Sequence, residues 1–60
     1  MLVRIFMITA SNAVELEEEI NRGLEYRAKT AMDVISITLQ DTVHQDGRSD
    51  KSLYFIFYRG

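Results

Sequence analysis

Few side chains in this 60-residue chain are of a type that does chemistry, and their spacing does not favour it. The one histidine, His44, falls in a polar run expected to be a loop. A lone imidazole, with no hydroxyl or carboxylate at a defined spacing, does not make a nucleophile-and-base pair. There is no cysteine, which removes disulfides and thiolate metal sites together and fits a reducing, cytoplasmic setting. There is no proline either, which excludes an N-terminal proline base of the kind tautomerases use. Gly23, Gly47 and Gly60 are isolated, so no glycine loop is available to cradle a phosphate. Four of the nine acidic residues, Glu15, Glu17, Glu18 and Glu19, crowd one short stretch. On the first half of a helix such carboxylates read as a solvated face favoured by the macrodipole, with an acidic docking surface as the other reading. No catalytic residue, metal ligand or cofactor site is assigned, and the expectation is a protein that is not an enzyme.

Binding chemistry is better represented. Arg4, Phe6, Tyr54, Ile56, Tyr58 and Arg59 are the candidate binding residues, drawn from the two ends of the chain. Tyrosine and arginine dominate the energetics of protein interfaces. One reading of the set is an apolar seam between copies of the chain, with arginines at its rim. The other is an aromatic platform that stacks a nucleotide between protomers. A net charge of −2 and a pI near 5.2 argue against general affinity for nucleic acid. No stretch approaches the roughly 20 apolar residues that span a bilayer, so no membrane partner is expected.

These residues are positioned by a simple order of elements. Residues 2–9 are β-branched and aromatic and read as a strand, and Ser11-Asn12 then changes the period. Asn12 with Glu15 three residues on forms the pattern of a capping box. Leu16, Ile20, Leu24 and Ala28 recur every four residues along one helix face, and the helix is expected to end near Lys29 to Ala31. Glu18 with Arg22 and Glu25 with Lys29 stand in the favourable i,i+4 order on its outer side. Gly23, inside the helix and beside the stripe, implies close approach to a bulky strand residue. From Asp33 to Val43, Ile35, Ile37 and Leu39 alternate with Ser36, Thr38 and Gln40, a strand with one polar side. Asp46-Gly47 is a hairpin signal, and residues 53–58 form a final strand.

The expected architecture is therefore α+β: a single domain over residues 1–60, β-α-β-β, with a three-stranded mixed sheet in the order 1-3-2 covered on one face by one helix. Hairpin register decides which side of the last strand meets the helix. A two-residue loop sets Leu39 opposite Tyr54 and Ile37 opposite Ile56, and one more residue reverses the faces. Leu53, Phe55 and Phe57, with Val3 and Ile5, are expected inward, because tyrosine can keep its hydroxyl in water and phenylalanine has none to keep. The opposite face then lacks cover. A chain this short buries only about 60% of its unfolded surface, and without disulfides or metal a partner is the remaining source of stability.

The acidic helix Leu16-Glu17-Glu18-Glu19-Ile20-Asn21 with Leu24, the strand Asp33-Val34-Ile35-Ser36-Ile37 and the aromatic end Tyr54 to Tyr58 resemble the small sporulation-associated proteins of spore-forming bacilli and their phages. The resemblance implies a small intracellular protein of unassigned activity and supplies no functional residues. The functional expectation is an oligomeric, non-enzymatic protein-binding module, in the format of a phage-encoded inhibitor of a host or defence protein. A nucleotide-sequestering protein and a sporulation-associated structural protein are the alternatives.

Overall fold

A computed structural model describes residues 2–43 and 51–60; the expected Asp46-Gly47 turn and His44 lie outside the described residues. β1 (Val3–Ala10) leads into α1 (Ala13–Tyr26), a single 3-10 turn at Ala31–Asp33 opens β2 (Val34–Val43), and β3 (Lys51–Arg59) ends the chain. The sheet order is β1-β3-β2, with β3 antiparallel to both neighbours. β1 and β2 consequently run the same way but never touch as a pair, so every ladder in the sheet is antiparallel. The domain is α+β with the expected strand order.

Local signals explain both ends of α1. Asn12 is extended, and its side-chain oxygen accepts from the Glu15 N–H at 2.8 Å. The Glu15 carboxylate accepts from the Ser11 N–H at 3.2 Å, one residue earlier than a capping box would have it. At the other end Ala28 adopts a left-handed conformation, φ 57°. The Ala28 N–H donates to the Glu25 carbonyl at 3.0 Å and the Lys29 N–H to the Leu24 carbonyl at 2.8 Å, the paired bonds of a Schellman motif. The helix therefore stops at Tyr26, short of the expected Lys29 to Ala31. Ala28 leaves the apolar stripe, and Lys29 leaves the face where Glu25 would have met it. Arg22 pairs with Glu19 at 2.8 Å rather than with Glu18.

Packing corrects the expected faces. The buried cluster consists of Phe6, Leu24, Ile56 and Tyr58, with Ile8, Ile20, Val34 and Tyr54 packed against it. The even-numbered residues of β1 and β3 thus lie beneath the helix, and Val3, Ile5, Phe55 and Phe57 lie on the other side. Register enforces this: Ile37 stands opposite Ile56 and Leu39 opposite Tyr54, while Phe6 stands opposite Ile56 and Arg4 opposite Tyr58. Tyr58 tolerates the inner position because it stands opposite Arg4 and lines the cleft at the end of α1. Among the described residues no buried side-chain nitrogen or oxygen lacks a partner.

Gly23 has the close approach its position implied. A Cβ there would overlap the Phe6 ring, 2.8 Å from Cζ and 3.1 Å from Cδ2. Phe6 is held on its other sides by Tyr58, edge-on at 5.5 Å between centroids, and by the Arg27 guanidinium 4.3 Å from its ring centre. β2 breaks register between Val34 and Ser36 and between Leu39 and Asp41. Its Ile37 and Leu39 share the helix side of the sheet yet remain 46% and 58% exposed, because α1 sits over β1 and β3. Among the described residues no helix is long and apolar enough to cross a membrane.

Candidate functional site: the open face of the sheet

The six residues singled out for binding are divided by the fold. Phe6, Ile56 and Tyr58 are core, and Tyr54 packs against that core. They cannot form the outer platform expected of them, because the helix occupies their face of the sheet. The stacking of a nucleotide on Phe6, Tyr54 and Tyr58 is closed off for the same reason. Arg4 lies on the helix side just beyond the end of α1, opposite Tyr58, whereas Arg59 pairs with Val3 at the end of the open side.

The surface without cover is the complementary set. Val3, Ile5 and Met7 of β1 are 54%, 55% and 62% exposed. They stand beside Arg59, Phe57 and Phe55 of β3, and Leu53 follows opposite Thr9. Because cross-strand partners point to the same face, these side chains form one apolar band along β1 and β3. Ser36 and Thr38 of β2, opposite Phe57 and Phe55, give the band a polar flank. Arg59 closes one end. An apolar centre with a polar rim is the anatomy of a protein interface. Sequence reasoning named the existence of this face but assigned it the other parity.

A second feature lies at the end of α1. Arg4, Tyr26, Arg27, Lys29, Tyr58 and Gly60 line a cleft of about 540 Å³, and an adjoining one of about 450 Å³ shares Arg4, Arg27 and Tyr58. Arg27 also donates to the Gly23 carbonyl at 3.0 Å. Close by, the Asp33 carboxylate accepts from the Thr30 N–H at 3.0 Å and from its hydroxyl at 3.3 Å. The Thr30 backbone bond is the main cause that holds its pKa below the ordinary 3.8; desolvation opposes it, and the Thr30 hydroxyl and the charges of Lys29 and Arg59 add smaller lowering effects. Arg27 and Lys29 were not singled out from sequence; their placement depends on the turn at Ala28.

Among the described residues no three His, Cys, Asp or Glu side chains are grouped as a metal site would require. Comparison with protein-family models, with curated proteins and with solved structures finds no match.

Proposed function

We propose that the chain is a non-enzymatic protein-binding module that associates with itself through the open face of its sheet and acts by occupying a partner protein, as an inhibitor does. The supporting observation is the apolar band of Val3, Ile5, Met7, Leu53, Phe55 and Phe57 on the side of the sheet away from the helix. Exposed apolar surface of this continuity marks interaction sites on soluble proteins. At about 3.4 Å per residue and 4.8 Å per strand, a nine-residue, three-strand face measures roughly 30 by 14 Å, about 400 Å². Two such faces in contact bury on the order of 800 Å² before side-chain relief is counted, which is below the roughly 1,200 Å² of a stable specific interface and in the range of weak, transient association. Self-association of this size is reversible, which leaves the face available to a different protein of matching shape. A cysteine-free chain suits work in the cytoplasm.

Light scattering over a dilution series tests the reading. The expected result is a mass above the 7.0 kDa of one chain that falls on dilution. Ile5→Lys and Phe57→Lys, neighbours on the open face, should each give a folded 7.0 kDa species, judged by unchanged far-ultraviolet circular dichroism. A wild-type mass of 7.0 kDa at every concentration refutes self-association.

A further inference from the structure

We propose that the cleft beyond the C-terminal end of α1 binds the phosphate group of a small phosphomonoester, through Arg4, Arg27 and Lys29 with the Tyr58 hydroxyl. The site is separate from the open face and does not rest on self-association.

Two segments distant in sequence bring positive charge to one place: β1 supplies Arg4, and the turn that ends α1 supplies the C-cap Arg27 and, just past Ala28, Lys29. Among the described residues none of the three meets a carboxylate within ion-pair distance; the pairs that form are Arg22 with Glu19 and Lys51 with Glu15, elsewhere on the molecule. Asp33, bonded to Thr30, offsets part of the charge of Lys29 from beyond ion-pair distance; the three cations remain only partly compensated, and a bound anion lowers the cost of gathering them.

The cleft is also prepared in ways that a random basic patch is not. Arg27 is fixed by its bond to Gly23 and its stacking on Phe6, which uses one N–H and leaves the rest of its donor fork for a ligand. The side chain of Arg4 lies over Gly60, where a Cβ would come within 2.7 Å of its Cδ. Ala28 holds a left-handed conformation that disfavours alanine, and this strained turn sets Lys29 beside Arg27. Tyr58 is 4% exposed, lines the cleft and makes no side-chain hydrogen bond among the described residues, and its hydroxyl is not sealed off. The hydroxyl thus keeps some contact with solvent.

Phosphate fits this set better than carboxylate does. A planar carboxylate is satisfied by a single guanidinium fork, whereas a phosphomonoester spreads up to two charges over three acceptor oxygens that donors reach from several directions. At about 540 Å³ the cleft falls in the range of small-molecule sites and leaves room for the carrier of the phosphate.

The test is a nuclear magnetic resonance titration of the whole chain with adenosine monophosphate at constant ionic strength, with inorganic phosphate and adenosine as the comparison probes. The expected result is saturable displacement of the Arg4, Arg27, Lys29 and Gly60 amide signals by adenosine monophosphate and by inorganic phosphate, with adenosine at least about tenfold weaker. Arg4→Gln and Lys29→Gln, at side chains outside the core, should each weaken phosphate binding by about fivefold or more, and Arg22→Gln should leave it unchanged. Arg27 is left intact because it supports Phe6. Equal binding of adenosine and its monophosphate, displacement spread over all basic residues, or indifference to both glutamine variants overturns the proposal. In those cases the cations would only offset the negative end of the helix dipole.

Discussion

Replacing Gly23 with alanine sets two calculable effects against each other. Within a helix, alanine is intrinsically better than glycine by about 1 kcal/mol, so on an exposed helix the change would stabilise. Here the added methyl would stand 2.8 Å from Cζ of Phe6, closer than carbon atoms approach, and the ring cannot easily retreat. Tyr58 packs against its edge, the Arg27 guanidinium sits over its face, and Ile56 opposite it on β3 is wholly buried. Inserting one methyl group into a site of this kind costs about 1–3 kcal/mol. Because the approach is under 3 Å and the ring is held on several sides, the packing cost belongs at the upper end, and after the propensity gain the net loss is about 2 kcal/mol, or roughly 8–16 °C in melting temperature for a domain of this size. Thermal unfolding at fixed protein concentration reads it directly, since association would otherwise move the midpoint. Phe6→Leu in the Gly23→Ala background removes the ring and should recover part of the loss relative to the sum of the single variants. If Gly23→Ala is as stable as the parent, or more so, the close approach of helix to Phe6 does not limit packing and the reasoning fails.

Ala28→Gly relieves a left-handed alanine that costs about 1–2 kcal/mol and adds the unfolded-state entropy of glycine, leaving a gain of about 0.5–1 kcal/mol; urea unfolding with an unchanged slope measures it. Ile56→Asp puts a charge where no solvent reaches and no counter-charge waits, a loss of more than about 3 kcal/mol, so circular dichroism should show an unfolded chain rather than a folded, separated one. Asp33 has a folded-state pKa below 3.8, so its native form binds fewer protons than its unfolded form. Its contribution is therefore complete above 3.8 and is lost as pH falls through the lowered value. Urea midpoints of the parent and of Asp33→Asn should accordingly differ at neutral pH and converge in acid, and a difference that persists at low pH would contradict the origin given for the shift.

The order of elements and the strand order 1-3-2 were legible because each rests on a local signal: Asn12 at the helix start, alternation through Ile37, Thr38 and Leu39, and the near-continuous apolar run of β3 that suits a central strand. The end of α1 was not, since alanine carries no signature of a left-handed turn, and the cationic cleft was hidden with it. An eight-residue strand and a nine-residue strand paired antiparallel have only two face assignments, and hydropathy hardly separates Val3, Ile5 and Met7 from Phe6 and Ile8.

The clue that does separate them lies in the helix. Gly23 demands a bulky residue beneath it, and on β1 the bulkiest is Phe6. Once Phe6 faces the helix, the even-numbered residues of β1 follow, and the β1–β3 register then brings Tyr54, Ile56 and Tyr58 inward and sends Phe55 and Phe57 out. The preference for keeping tyrosine outward points the opposite way, but it carries less force. A phenol at the end of a sheet can bury its ring and still reach solvent past a helix that stops early, whereas a glycine contact closer than a methyl group allows has no second solution. Steric exclusion at one position therefore fixes the parity of a whole sheet, and with it which six apolar side chains are left for a partner.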